Sequence, residues 1–63
     1  MRSGSNGAAV RALQVELRAA GHSVTVDGVF GAGTKAAVVA YQKAQGLTAD
    51  GIVGAKTWGS LVD

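Results

Sequence analysis

Asp27, Asp50 and His22 are the side chains through which this chain could most plausibly do acid–base or nucleophilic chemistry. Two carboxylates can hydrolyse a glycosidic bond when they flank a cleft and one of them keeps a raised pKa. Asp27 and Asp50 are the plausible pair, but each is followed by Gly, two apolar residues and Gly. Like surroundings give no reason for one acid and one base. His22, the single histidine, stands between Gly21 and Ser23 past a helical stretch, where an exposed, solvated ring is expected. No histidine and carboxylate set has metal-ligand spacing. No cysteine is present, so neither a thiolate metal site nor a disulfide is available. The chain reads as no enzyme, with no cofactor and no metal, and its polar residues read as scaffold or binding groups.

Those residues sit in an internal repeat. Asp27-Gly28-Val29-Phe30-Gly31-Ala32-Gly33-Thr34 returns 23 residues later as Asp50-Gly51-Ile52-Val53-Gly54-Ala55-Lys56-Thr57. The aspartate can accept backbone N–H groups that follow it, and the glycine beside it suits a tight turn. Val29 with Phe30, and Ile52 with Val53, are expected to anchor each turn in the core. Gly31 and Gly54 are expected to let the chain enter the next helix closely packed, and Thr34 and Thr57 to bond locally about one turn in. A second echo sets Val10-Arg11-Ala12-Leu13-Gln14 against Val38-Val39-Ala40-Tyr41-Gln42. Gln14 and Gln42 lie at the edge of an apolar stripe, and a buried amide requires partners. A tie from each helix to loop backbone, such as the Asp-Gly turn, is the favoured reading. A hydrogen bond to a ligand is the alternative.

Three helices must position these groups. The first is predicted at about 6–20, with Val10, Leu13 and Leu17 on one stripe, Ser5 or Asn6 as cap and Gly21 as stop. The second is predicted at about 32–45, with Thr34, Val38, Tyr41 and Gln45 sharing a face beside Ala37, and Gly46 as stop. The third is predicted at about 54–61, with Trp58, Leu61 and Val62 on its apolar side. It is too short to persist without packing. Val24-Thr25-Val26 is extended in character but has no evident partner strand. The fold class is all-α: a small three-helix bundle with pseudo-repeated helix, loop, Asp-Gly turn and helix units, in one domain spanning 1–63.

Composition narrows the partners. A chain of 63 residues folds with a thin core, burying only about 60% of the surface its unfolded form exposes. Phe30, Tyr41 and Trp58 are its only aromatics, so each ring carries weight. The formal net charge is +2, and the cations (Arg2, Arg11, Arg18, Lys35, Lys43, Lys56) are scattered. Nucleic-acid binders cluster such charge on a recognition face, so no nucleic acid is expected as partner. No apolar run is long enough to span a bilayer, and no membrane is expected either. Met1–Ser5 lacks the apolar stretch of an export signal, so export would depend on a signal elsewhere or on another route.

One family accounts for this spacing over nearly the whole chain. Gly4-Ser5, Gly7, Val10, Leu13-Gln14, Leu17 and Gly21 come first. Asp27-Gly28, Phe30-Gly31, Thr34, Ala37-Val38 and Tyr41-Gln42 follow, and then Gly46-Leu47, Asp50-Gly51-Ile52-Val53-Gly54, Thr57-Trp58 and Leu61. In order and spacing this resembles the peptidoglycan-binding domain found beside bacterial and phage cell-wall hydrolases. Each piece is common alone; together they are specific. Tyr41 departs from the family's usual Phe and could add a hydroxyl partner, and Gly33 inside the second helix costs about 1 kcal/mol against Ala. The resemblance implies a three-helix bundle with approximate internal symmetry and a non-catalytic targeting role. The implied partners are the glycan or stem peptide of peptidoglycan and a covalently linked catalytic domain. The implied setting is extracellular, cell-wall or periplasmic, a phage endolysin included, with the module a monomer. Related modules precede matrix metalloproteinases, which makes a protein-interaction or regulatory role the alternative, although their cysteine switch has no counterpart here. A ligand is expected in one shallow groove between the Asp27–Gly31 turn and the start of the third helix. Asp27, Phe30, Thr34, Tyr41, Asp50, Lys56, Thr57 and Trp58 are the candidate binding residues, with Phe30 and Tyr41 weighing more towards core than contact.

Overall fold

The apolar stripe of Val10, Leu13 and Leu17 builds α1 (Ala8–Ala19), the helix around which the others pack. The computed structural model describes residues 1–62. Among them α2 is Ala32–Ala44 and α3 is Ala55–Val62. α1 packs against both α2 and α3. Val10, Leu13 and Leu17 from α1 meet Ala37, Val38 and Tyr41 from α2, with Phe30 and Val53 from the two turns. Trp58 and Leu61 close this core from α3, half-buried.

Both long helices stop in the same way. Gly21 N–H bonds to Arg18 C=O and His22 N–H to Leu17 C=O; Gly46 and Leu47 repeat the pair on Lys43 and Gln42. This six-to-one and five-to-two pattern satisfies carbonyls that a helix end leaves open. It also ends α2 at Ala44, so Gln45 becomes its exposed C-cap and does not share the buried face, contrary to expectation.

Neither Ser5 nor Asn6 caps α1, as the sequence had suggested. Gly7 is the N-cap, with φ 112° and no side-chain cap bond. The reason is tertiary: residues 4–7 lie antiparallel to the first Asp-Gly turn. Phe30 N–H bonds to Ser5 C=O at 2.9 Å, Gly4 N–H to Phe30 C=O at 3.0 Å and Gly7 N–H to Gly28 C=O at 2.9 Å. Asn6 and Val29 form an isolated antiparallel bridge there. Val53 N–H bonds to Met1 C=O at 2.6 Å, so the N-terminal segment touches both turns. Val24–Val26 enters no strand.

α3 keeps Trp58 and Leu61 of its expected face against the core but not Val62. Thr57 is buried, whereas Val62 is 52% exposed. Gln42 bonds the Thr57 hydroxyl and draws that side of the helix inward, which rotates Val62 to solvent. The Tyr41 hydroxyl lies 2.7 Å from Ser60 Oγ and ties α2 to α3, giving the extra hydroxyl its partner. His22 is half-buried rather than free in solvent; its ring stands edge-on to Tyr41 with centroids 5.8 Å apart.

Candidate ligand-binding clefts

Two glutamine amides organise the turns. Gln14 projects from α1 into the interior with no exposed surface. Its Oε1 accepts N–H bonds from Asp27 at 3.0 Å and Gly28 at 2.8 Å. Its Nε2 faces three acceptors: Asp27 Oδ1 at 2.9 Å, Val29 C=O at 3.0 Å and Thr34 Oγ1 at 3.0 Å. Two N–H groups thus serve three acceptors, one of them shared. Gln42 repeats the arrangement from α2: Gly51 N–H reaches its Oε1, and its Nε2 reaches Asp50 Oδ1, Ile52 C=O and Thr57 Oγ1. Among the described residues no buried side-chain nitrogen or oxygen lacks a partner. The glutamines are scaffold, as the favoured reading had it. They also explain the buried threonines, each of which accepts from the amide.

The turn glycines follow from the same geometry. Gly28 (φ 77°) and Gly51 (φ 74°) are buried left-handed residues whose N–H points at the amide oxygen. A Cβ at Gly51 would also lie 3.0 Å from the Lys35 side chain. Side chains rarely adopt this φ, so glycine is required at both positions.

Each aspartate closes its turn on itself. Asp27 Oδ1 accepts Val29 N–H at 3.0 Å and Asp50 Oδ1 accepts Ile52 N–H at 2.9 Å. These backbone donors, above all, hold both carboxyls below their ordinary range. The Gln14 and Gln42 amides add to the effect, and desolvation opposes it. Both are therefore carboxylates at neutral pH, and neither holds a proton to give. A depressed folded pKa contributes stability that is complete above the unfolded value and is lost as pH falls through the folded one. The melting temperature is accordingly expected to hold steady from neutral pH down to about pH 5 and to fall below about pH 4. The fall should be shallower in an Asp27→Asn, Asp50→Asn double variant; an equal fall would remove these aspartates as its cause.

Beside each turn lies an open cleft. The first, about 390 Å³, is lined by Thr25, Asp27, Val29, Gly31, Gly33 and Thr34. The second, about 290 Å³, is lined by Thr48, Asp50, Ile52, Gly54, Lys56 and Thr57. The expected single groove between the first turn and α3 is thus two clefts, each flanked by its own turn and the helix that follows it. Of the eight candidate residues, Asp27 and Thr34 border the first, and Asp50, Lys56 and Thr57 the second. Phe30 and Tyr41 are core, 1% and 4% exposed, and Trp58 packs against that core.

The sequence reading missed Val29 and Ile52. Both were expected as core anchors, but they are 53% and 45% exposed and form the apolar side of the clefts. Successive residues of extended chain point to opposite sides, so Phe30 and Val53 go inward and their predecessors outward. That alternation was the available signal. Gly31 and Gly54 were also misread: a Cβ at either would meet no atom within 4 Å, so close helix packing does not demand them.

A helical scaffold with mixed polar and apolar clefts and two fully ionised aspartates defines a small binding module. The chain matches the model of the family described as "Putative peptidoglycan binding domain" over residues 6–61, and it belongs to that family. It is 44% identical over 64 residues to a zinc D-Ala-D-Ala carboxypeptidase of Streptomyces albus G, covering 97% of this chain and 25% of that protein. It thus spans about a quarter of that relative's length. A crystal structure of a peptidoglycan-binding protein from Clostridioides difficile, in complex with glutamine hydroxamate, superposes with TM-score 0.95 at 46% identity, covering 97% of this chain and 39% of that one. A Burkholderia AP3 phage endolysin gives TM-score 0.95 at 48% identity, over 97% and 24%. In each of these proteins the part resembling this chain is a minor fraction of the whole, as suits a module beside other domains.

Proposed function

We propose that this chain is a non-catalytic module that binds peptidoglycan through its stem peptides and holds an attached cell-wall hydrolase on its substrate, outside the cell or in the wall. The observation that supports the peptide over the glycan is the lining of the clefts. Sugar faces favour aromatic floors, and no aromatic side chain borders either cleft; Phe30 and Tyr41 are sealed in the core. What each cleft offers is a β-branched side chain for an alanine methyl, and a carboxylate and an exposed threonine, Thr25 or Thr48, for amide groups. Asp27, Asp50 and Lys56 remain contact residues on this reading, while Thr34 and Thr57 line the clefts with their hydroxyls engaged by the glutamine amides. Phe30, Tyr41 and Trp58 act by holding the turns and α3 in place.

The test is retention on purified sacculi with soluble competitors. Stem peptide is expected to release the domain, and oligomers of N-acetylglucosamine are not. Val29→Ser, which removes exposed apolar surface only, should weaken retention about fivefold, as roughly 1 kcal/mol of lost burial implies, with the melting temperature kept. Release by the sugar and not by the peptide would overturn the peptide assignment.

A further inference from the structure

The repeat duplicates the turn, and the structure shows that it also duplicates the cleft. Thr25, Asp27, Val29, Gly31 and Thr34 line the first; Thr48, Asp50, Ile52, Gly54 and Thr57 line the second, each at its counterpart 23 residues on. We infer that the module carries two equivalent peptide subsites, one per repeat, and engages two stem peptides of one strand together. This rests on the peptidoglycan reading above.

The glycines at the cleft floors carry the inference beyond scaffold symmetry. Gly28 and Gly51 are demanded by backbone conformation, but Gly31 and Gly54 are not. Neither has positive φ, and beside each the space that a Cβ would fill is open. Gly31 is the N-cap of α2, where Ser, Asp or Asn would cap better than Gly, and no side chain caps that helix. The fold thus forgoes a stabilising residue and keeps bare backbone at the edge of the cleft. Gly54, whose C=O accepts Trp58 N–H at the start of α3, repeats this in the second copy. Bare backbone beside a carboxylate and a β-branched side chain is what an extended peptide needs for close approach. Both clefts lie on a body whose longest extent is 26 Å, so binding at one raises the local concentration of a neighbouring stem at the other.

Among the paired lining positions, Val24/Leu47 and Val29/Ile52 exchange one apolar residue for another, and Gly33/Lys56 changes the charge. Lys56 borders the second cleft where the first has Gly33, and it is exposed. The second subsite therefore favours a stem peptide with a free carboxylate.

The experiment is an NMR titration of the whole domain with a single soluble stem peptide, paired with sacculus retention. Two separate sets of amide shifts are expected, around Thr25–Gly31 and Thr48–Gly54, with two peptides bound per domain. Amidating the peptide carboxylates should weaken the second set and spare the first. Gly31→Gln and Gly54→Gln place a side chain in open space and should each erase one set with the melting temperature kept. Each should also lower sacculus retention about tenfold or more as avidity is lost. A Gly54→Gln variant that titrates and is retained like the parent removes the second subsite while leaving the peptidoglycan reading intact. Failure of the parent domain itself to bind sacculi overturns that reading and this inference with it.

Discussion

Gln14→Ala is expected to leave the domain largely unfolded at room temperature. The side chain is fully buried and holds Asp27, Gly28, Val29 and Thr34 at once. Truncating it strands the Gly28 N–H in the interior, leaves the Asp27 N–H without its acceptor and takes from the Thr34 hydroxyl the donor it accepts, and a buried group left unpaired costs about 1–3 kcal/mol. The space vacated by the amide adds a cavity cost. The sum, on the order of 3–6 kcal/mol, matches the roughly 3–9 kcal/mol that a chain of this size holds in total. Gln42→Ala should follow the same course with a smaller loss, because its amide makes one bond fewer and two of its contacts are 3.2 Å. Gln14→Glu sharpens the test. It keeps the shape but sets a carboxylate against Asp27 Oδ1 and Val29 C=O, so it should be at least as harmful at pH 7. Its stability should rise as pH falls towards about 5 and the new carboxyl takes up a proton, where the parent gains nothing. Urea unfolding followed by circular dichroism reads all three. A loss under about 1 kcal/mol for Gln14→Ala would mean the amide network does not hold the turn.

The second large effect is expected at Phe30. Its ring heads the fully buried side chains, and its backbone pairs with Gly4 and Ser5. Truncation to alanine should cost about 3–5 kcal/mol. For a domain this small each kcal/mol moves the melting temperature by about 4–8 °C, so the transition should drop by more than about 10 °C. Phe30→Leu, which refills much of the space, should lose less than half as much. The neighbour makes the control: Val29→Ala changes an exposed side chain and should leave the transition nearly in place. If Phe30→Ala kept its melting temperature and lost sacculus retention, the ring would be a ligand contact and the core would be drawn wrongly.

What was legible in the sequence was whatever repeats locally. The three helices appear within two residues of their predicted ends because apolar spacing and the Gly21 and Gly46 stops are properties of neighbouring residues. The family could be read for the same reason, since it is carried by order and spacing along the chain. The role of Gln14 and Gln42 was half legible: burial and a tie to the turn followed from the stripe, but the sharing of one amide with Asp, Gly, Val and Thr did not. The same holds for the turn aspartates, whose common flanks already argued against an acid and base pair.

Tertiary structure decided which side of each element faces inward. Val62 lost its place in the core to Thr57 because Gln42, on another helix, needed a partner there. Ser5 and Asn6 gave up capping α1 because the chain around them paired with the loop at residues 28–30. Val29 and Ile52 moved from core to surface because the turns hold them in extended chain against distant partners, and alternation then leaves one of each apolar pair outside. The clefts are the outcome of those choices. Each sits between a turn and a helix start whose relative placement is set by an amide from the preceding helix, Gln14 of α1 for the first and Gln42 of α2 for the second. Local sequence specifies the parts; only the long-range hydrogen bonds and the shared core fix which surfaces remain open for a ligand.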